Sequence, residues 1–192
     1  MKKTLLSLFV LFFINSINAG RYIVDYRFNG NAKDHKGKLH ATVNGAKLTT
    51  DRHGRKNSAY AFDGIDDFLE ISKGLLNVKS RSSFSVETYA TFETNTGYWG
   101  GPNNSDNIYF GGTLFSVYGG PQGSKDLLLI TYDNSNQLTA SHRTDETSNW
   151  AQQKVLFNAN NLYDKYHHIV MVRDGKKQII SLYIDGNLVS EK

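Results

Sequence analysis

Aromatic and amide side chains are concentrated in two parts of the chain that are rich in glycine or asparagine, residues 94–125 and the neighbourhood of residue 149. The rings are Tyr98, Trp99, Tyr109, Tyr118 and Trp150, and the amides are Asn103, Asn104, Asn107 and Asn149. An exposed ring can lie against a pyranose face while amides bond the hydroxyls, and loops on a rigid scaffold are where such binding is concentrated.

The sugar-binding residues that we predict from this composition are Tyr98, Trp99, Asn103, Asn104 and Trp150. The alternative is that the rings close the ends of a core, because tryptophan is highly buried on average. Trp99 is flanked by three nearby glycines, which favours binding, whereas Trp150 fits both interpretations equally. Tyr118 ends an apolar run and is assigned to the core.

The densest group of carboxylates is Asp63, Asp66 and Asp67, three acids within five residues. Such a group could hold a cation, but its spacing is not that of an EF-hand loop. A turn at Asp63-Gly64, with side chains that accept backbone N–H bonds, explains the acids without a metal, and we favour it. Asp34 is predicted to be a turn residue for the same reason.

The residue types of known catalytic sites are present in the wrong arrangement. Glycosidases need two carboxyl groups roughly 5–10 Å apart, as alternate strand positions would supply. Glu87 and Glu93 are six residues apart, with only apolar or neutral residues between them. His167 and His168 are adjacent, so on a strand they face opposite ways. Nucleophile-elbow, zinc-protease and phosphate-loop motifs are absent from the sequence, and we predict a non-catalytic protein.

The first nineteen residues have the order of a secretory signal peptide: two lysines, an apolar run from Leu5 to Ile14, and Ala19 at the expected cleavage point. The run is too short to span a bilayer, although an uncleaved anchor is the alternative. A lipoprotein anchor is excluded because no cysteine follows the run. We therefore predict a leader over residues 1–19, one domain over 20–192, a secreted, periplasmic or cell-surface location, and no membrane span after cleavage.

Charge and cysteine content narrow the function classes further. The leader holds two of the 22 basic residues and none of the 18 acidic ones, so the remaining 173 residues carry 20 basic against 18 acidic, a net charge of +2. These charges are scattered, so no nucleic-acid partner is expected. With no cysteine in the chain, stability must come from sheet packing rather than from disulfides.

After the leader, apolar and polar residues alternate with a period of two, which indicates half-buried strands. In Tyr22–Phe28 one face is Tyr22, Val24, Tyr26 and Phe28, and in Phe84–Phe92 it is Phe84, Val86, Ala90 and Phe92. Further strands are predicted at Ala59–Phe62, Phe68–Ile71, Gly112–Tyr118, Leu127–Tyr132 and Gln137–His142. No helical period follows residue 20.

The last 26 residues, from His167 onward, give the clearest hairpin pattern. His167–Arg173 and Gln178–Ile184 flank Asp174-Gly175, and Asp185-Gly186 follows before Leu188. Asp-Gly pairs between alternating runs favour hairpin turns, since both positions can adopt positive φ. Many short strands with frequent turns predict an all-β fold, either a two-sheet sandwich or a barrel.

Five segments carry a family resemblance: Tyr26–Asp34, Ala59–Ile71, Phe84–Glu87, Tyr166–Gly175 and Leu182–Asn187. Their order resembles that of bacterial laminin G-like domains, of the concanavalin A-like lectin and glucanase superfamily. The similarity covers roughly residues 22–189. Its specificity lies in the combination of Phe-Asp-Gly-x-Asp-Asp with Tyr-Ile-Asp-Gly, because either motif alone is weak.

The resemblance implies a jelly-roll sandwich of two antiparallel sheets, used for adhesion or sugar binding. Asp126 resembles the aspartate that these domains use at a rim calcium site, so calcium is an expected cofactor; otherwise Asp126 caps a loop. Family members continue beyond the Tyr-Ile-Asp-Gly turn, whereas this chain stops at Lys192. We therefore expect a domain without its final strands, whose sheet edge beside the first strand is open or filled by a partner strand or protein.

Three functions are compatible with these observations. The first is a secreted, lectin-like module that binds a carbohydrate or glycoconjugate. The second is a structural or adhesive domain that binds protein, favoured by the open edge. The third is a polysaccharide-degrading enzyme of the same fold, which the missing acid pair disfavours.

Overall fold

The computed structural model describes residues 4–6, 11–14, 21–37, 39–64, 66–71, 83–92, 112–118, 126–132, 137–142, 154–158, 162–163 and 165–192. Within these residues the backbone forms fifteen strands and no helix. The prediction of an all-β protein is therefore confirmed for the part of the chain that is described.

The strands follow one another in chain order, most of them four to eight residues long. They are β1 Thr4–Leu6, β2 Leu11–Ile14, β3 Arg21–Asp25, β4 Ala41–Asn44, β5 Lys47–Thr49, β6 Ala59–Phe62, β7 Phe68–Ile71, β8 Phe84–Ala90, β9 Gly112–Tyr118, β10 Asp126–Tyr132, β11 Gln137–His142, β12 Lys154–Asn158, β13 His167–Asp174, β14 Ile179–Ile184 and β15 Asn187–Glu191.

Every pair of neighbouring strands is antiparallel, and the strands form four sheets. The largest sheet has the order β15-β14-β13-β8-β2-β3, and the second has the order β12-β11-β10-β9. Two smaller sheets have the orders β1-β6-β5 and β4-β7.

The centre of the six-stranded sheet follows the predicted alternation. Exposure alternates along the whole of β13, with His167, Ile169, Met171 and Arg173 buried and the residues between them half-exposed. The four apolar residues predicted for one face of the Phe84–Phe92 segment are all buried, as are Ile180, Leu182 and Ile184. One face of this sheet is therefore the core face.

One hydrophobic cluster joins the two largest sheets. From the six-stranded sheet it takes Val24, Phe84, Val86, Ala90, Ile169, Met171, Ile180, Leu182 and Ile184, and from the four-stranded sheet Leu114, Phe115, Leu138, Ala140 and Val155. β11 and β12 approach β14, and β12 also approaches β15. Each large apolar side chain buried here contributes about 1.5–3 kcal/mol relative to exposure.

The hairpin turn predicted at Asp185-Gly186 is confirmed, whereas the connection at Asp174-Gly175 differs from the prediction. Asp185 and Gly186 have φ of 51° and 81°, so both central residues of this two-residue turn are left-handed, as predicted. The β13–β14 connection is instead a four-residue turn over 175–178, in which Gln178 has the positive φ of 59°. Asp174 Oδ1 accepts the N–H groups of Lys176 and Lys177, which organises the longer turn.

Several strands were not predicted from the pattern. β4, β5 and β12 are short, and the last strand extends from Asn187 to Glu191 around the predicted Leu188. The strand predicted to reach Phe28 ends at Asp25, and Phe28 itself has a positive φ of 52°. Asp25, which the alternation places on the outer face, is also buried.

The apolar N-terminal segment is paired with the rest of the chain. β1 pairs with β6, and β2 lies between β8 and β3 in the six-stranded sheet. Both strands lie within the nineteen residues that the sequence predicts to be a leader. Cleavage of that leader stays a prediction, and it would remove one internal strand from this sheet.

Candidate functional site

The predicted sugar-binding residues lie outside the described part of the chain. These residues are Tyr98, Trp99, Asn103, Asn104 and Trp150. Their roles therefore stay predictions. Asp126, the predicted calcium ligand, is the first residue of β10, where its backbone pairs with Tyr118. The side chain of Asp126 is not among the described groups, and its role as a ligand also stays a prediction.

Among the described residues, a group of polar and aromatic side chains gathers over the outer face of β8 and β13. We call it the outer-face cluster and define it as Arg52, Glu87, Tyr89 and His168. Glu87 and Tyr89 are two residues apart on β8 and therefore share a face. The register pairs His168 with Tyr89, so the two rings are direct cross-strand neighbours.

The outer-face cluster is held together by ring contacts and charge. The imidazole of His168 stacks on the Tyr89 ring with centroids 4.4 Å apart and planes 13° from parallel. The guanidinium carbon of Arg52 lies 3.6 Å from the Tyr89 ring centroid, a close cation–π contact. His168 Nε2 lies 3.3 Å from Glu87 Oε2, an ion-pair distance when the ring is protonated, but without hydrogen-bond alignment.

These distances place Tyr89 between the guanidinium of Arg52 and the imidazole of His168. A guanidinium and an imidazole cannot both lie over one face of the same ring at such distances without overlapping. Arg52 and His168 therefore cover opposite faces of the Tyr89 ring. A sugar ring cannot stack on Tyr89 in this arrangement, but the edge of the cluster offers a guanidinium, a carboxylate and a phenol to hydroxyl groups.

A tight turn after β5 positions Arg52. Asp51 is buried, and its carboxylate accepts the N–H groups of His53 and Arg55 at 2.9 Å and the Arg55 Nε–H at 2.8 Å. Burial opposes ionisation of Asp51, but the hydrogen bonds and the charge of Arg55 lower its pKa below the ordinary 3.8. With Asp51 fixed, its neighbour Arg52 projects from a rigid turn.

Tyr166 ties this turn to β13. Its hydroxyl donates to the carbonyl of Thr50 at 3.1 Å, directly before Asp51. Burial, and then the negative charge of Asp51, raise the pKa of Tyr166. The turn that carries Arg52 and the strand that carries His168 are therefore held together by a hydrogen bond between residues 116 apart in sequence.

His167 and Asp185 form a second, inner pair. His167 Nδ1 and Asp185 Oδ2 are 2.6 Å apart, and Asp185 Oδ1 accepts the His168 N–H at 2.9 Å. Burial alone would raise the pKa of Asp185, but these hydrogen bonds and the charges of both imidazoles lower it below the ordinary 3.8. The carboxylate thus joins the Asp185-Gly186 turn to the start of β13.

An aspartate–histidine pair is also the arrangement of a general base, so its accessibility decides what it can do. The side chain of His167 is only 7% exposed, and its Nε2 is buried and has no hydrogen-bond partner among the described residues. A substrate at the surface cannot reach that nitrogen. The geometry favours a structural pair, and the prediction that the two histidines face opposite ways is confirmed.

The carboxylates of Asp63, Asp66 and Asp67 come together, with ligand atoms within 4.8 Å of one another. Asp67 Oδ2 accepts the Asp63 N–H at 2.8 Å, and Asp63 Oδ1 accepts the Asp66 N–H at 3.4 Å. Asp67 Oδ1 lies over Gly45, where an added Cβ would be 1.8 Å away. These bonds are those of the turn predicted from the sequence, although the three oxygens are close enough for a cation.

Asp34 is a structural residue too. It is buried and accepts N–H groups from Asp25 and Lys36 at 3.0 Å and from Leu39 at 3.4 Å. Tyr26 donates its hydroxyl to the Leu39 carbonyl. Burial, and then the nearby charge of Asp34, raise the pKa of Tyr26 well above its ordinary value. The predicted turn role of Asp34 is confirmed, and it fixes the segment that follows β3.

Sequence reasoning missed Arg52 and Tyr89 altogether. The available signal was the outward position of Tyr89 and Glu87 on β8, opposite the inward apolar face. Arg52 gave no comparable signal, because its contact with Tyr89 depends on a turn 37 residues earlier in the chain. Only the folded arrangement brings the turn, β8 and β13 together.

The comparisons with known proteins give no match: no protein-family model, curated protein or solved structure is found to be similar to this chain. The resemblance to laminin G-like domains therefore depends on the sequence motifs alone. Of the residues that the structure describes, none belongs to a helix with the length and apolar character needed to cross a membrane.

Proposed function

We propose that this chain is a secreted, non-catalytic module that binds a carbohydrate or glycoconjugate. The supporting observation is the position of the outer-face cluster on the six-stranded sheet. Tyr89 is next to the last residue of β8, and the segment that contains Tyr98, Trp99, Asn103 and Asn104 begins directly after Phe92. Trp99 follows Phe92 by seven residues, a length of chain that spans at most about 25 Å.

The two kinds of group have complementary roles in this proposal. Arg52 and Glu87 supply a charged donor and a charged acceptor, which bond sugar hydroxyls more strongly than neutral groups do. Because both faces of Tyr89 are covered, stacking against the pyranose is assigned to Trp99 and Trp150. The proposal includes calcium at Asp126, where the ion would organise the neighbouring loop.

The proposed architecture is a jelly-roll sandwich of the laminin G-like type. Its two layers are the six-stranded and four-stranded sheets. The shared hydrophobic cluster and the approach of β12 to β14 and β15 support this arrangement. The adhesive, protein-binding alternative uses the same sandwich and would not need the outer-face cluster.

A glycan array followed by calorimetric titration of the best ligand tests the proposal. We expect Trp99→Ala and Trp150→Ala to abolish binding while leaving the fold intact. Arg52→Ala and Glu87→Gln should each weaken binding about 10- to 100-fold, the effect of one charged hydrogen bond. Lys56→Ala is the matched control, since Lys56 is another exposed cation, four residues beyond Arg52.

The outcome that contradicts the proposal is the absence of binding to any glycan by a folded wild-type protein at millimolar ligand. Equal losses for Lys56→Ala and Arg52→Ala would instead show a general charge effect. Release of reducing sugar from a polysaccharide would favour the enzymatic alternative.

A further inference from the structure

The six-stranded sheet contains one internal strand that belongs to the predicted leader. β2 pairs with β8 from Leu11↔Glu87 to Phe13↔Ser85, and with β3 from Leu11↔Asp25 to Ile14↔Arg21. It is antiparallel to both neighbours, and β3 has no other neighbour in this sheet. Removal of residues 1–19 would therefore leave a gap one strand wide.

The size of this gap follows from strand geometry. Neighbouring strands are spaced by about 4.8 Å, so β3 and β8 lie about 10 Å apart, with room for one strand. Hydrogen-bonding groups of β8 that face β2 would lose their partners, as would those of β3. A gap lined on both sides by unpaired N–H and C=O groups is a template for strand addition.

β3 is anchored on its far side, so it is not free to close the gap. The Asp25 N–H donates to Asp34 Oδ1 at 3.0 Å, and the Asp25 carbonyl accepts the His35 N–H at 2.8 Å. Val24 and Tyr26 are buried in the core, at 0% and 1% exposure. Closure would pull both side chains out of that core.

The relative direction of β3 and β8 also opposes closure of the gap between them. Because β3 and β8 are each antiparallel to β2, they run parallel to one another. A direct β3–β8 ladder would be parallel, in a structure whose described strand ladders are all antiparallel. Parallel pairing is slightly less stable per residue, so the gap is expected to persist until another strand fills it.

We propose that the position between β3 and β8 is a strand-acceptor site, which binds an extended apolar segment of a second protein once the leader has been removed. The sequence that occupies the position in the full chain, Leu-Phe-Phe-Ile, defines the chemistry of that segment: four consecutive apolar residues, three of them of high β-propensity, without proline or charge. The proposal depends on leader cleavage but not on sugar binding, so the glycan array tests neither this site nor its partner.

The test begins with the full chain expressed without export, in which residues 15–19 are replaced by a protease recognition sequence. These residues lie between β2 and β3, so cutting there leaves the leader strand bound without a covalent link. A fluorescent synthetic peptide with the sequence of residues 8–16 is then added. Anisotropy measures its uptake, and hydrogen exchange measures the protection of Ser85–Glu87 amides.

We expect the cut protein to take up the peptide, with an apparent affinity at least about 100-fold higher than that of the uncut protein. The uncut chain competes through its own tethered strand at high effective concentration. A control peptide that carries Phe12→Pro should bind at least about tenfold more weakly, because proline removes a ladder donor. Bound peptide should restore the β8 protection that is lost when the leader strand leaves.

Five results would overturn the proposal. One is full protection of β8 after the leader strand has dissociated, which means that the gap closes by itself. Another is that the Phe12→Pro control peptide binds as tightly as the unmodified peptide, which means that binding does not require a hydrogen-bonded strand ladder. A cut protein that unfolds and is not refolded by the peptide has no acceptor site. A fourth is an exported protein that keeps residues 1–19, because its own leader strand then still occupies the position between β3 and β8. A fifth is an exported protein in which a second copy of this chain fills that position.

Discussion

The two halves of the six-stranded sheet differ in how far along the chain their neighbouring strands lie. β13, β14 and β15 are consecutive and are joined by connections of four and two residues. In the other half, β2 and β8 are neighbours although 69 residues separate them. The hairpin half thus fixes its own register through its turns, whereas the N-terminal half relies on a strand supplied from a distance.

This difference affects both stability and function. Short connections add little entropy cost to pairing, while pairing across a long stretch of chain must be repaid by other contacts. Three of the four residues of the outer-face cluster lie on β8 and β13, the two strands at which the halves meet. We infer that the hairpin half anchors His168, the β13 residue of the cluster, and that the N-terminal half is where strands can be exchanged.

The largest effect should follow from a cavity in the hairpin half. Leu182 on β14 is fully buried, so Leu182→Ala should lower the free energy of unfolding by about 2–5 kcal/mol. Leu188→Ala on β15 is the control, because Leu188 is 52% exposed and its truncation should cost less than about 0.5 kcal/mol. Urea titration followed by fluorescence measures the free energy of unfolding of both variants. Similar costs for the two variants would contradict the placement of Leu182 in the core and Leu188 at the surface.

A smaller effect should distinguish the turns of the two halves. Gly186 and Gly30 have φ of 81° and 76°, and neither has an atom within 4 Å of an added Cβ. Gly186→Ala should cost about 1–2 kcal/mol, the penalty of a left-handed residue with a side chain. Gly30→Ala should cost less, because Gly30 lies in a longer connection, closed by the Tyr26↔Asp34 bridge, whose other residues can share the adjustment. If Gly186→Ala and Gly30→Ala have equal midpoint temperatures in thermal unfolding, the two turns do not differ in this way.

The smallest effect is a pH dependence at the Asp185 turn. Its pKa is lowered in the folded protein, so its charge stabilises the fold above about pH 4 and this contribution is lost as pH falls through the lowered value. Because the side chain is 49% exposed, the effect should stay below about 1 kcal/mol. Asp185→Asn tolerates the left-handed backbone but cannot ionise, so its stability should change less between pH 5 and pH 2. Parallel curves for variant and wild type would show that Asp185 does not contribute.

Strand positions could be predicted from the sequence wherever a segment carries its own pattern. Ala59–Phe62, Phe68–Ile71, Gly112–Tyr118 and Gln137–His142 have the predicted bounds, and β8, β10, β13 and β14 differ by a residue or two. The Asp185-Gly186 turn was predicted for the right reason, because positive φ at both positions is a local property. The Asp63–Asp67 and Asp34 turns are local in the same sense.

The outer-face cluster could not be predicted from the sequence. Arg52, Tyr89 and His168 come from three distant segments, and their contact depends on the β8–β13 register and on the turn that Asp51 organises. The loops predicted to bind sugar were identified by composition alone, which names residues but not their arrangement.

By itself, the sequence determined the all-β class, the inward faces of the main strands and the local turns, since period-two alternation and Asp-Gly chemistry act over a few residues. The tertiary structure alone decided which strands distant in the chain became neighbours. It placed Leu11–Ile14 between β3 and β8, and His168 over Tyr89. The physical reason is that hydrogen-bonded ladders accept any strand of suitable direction and polarity, so the choice among candidate partners is made by the packing of the whole core.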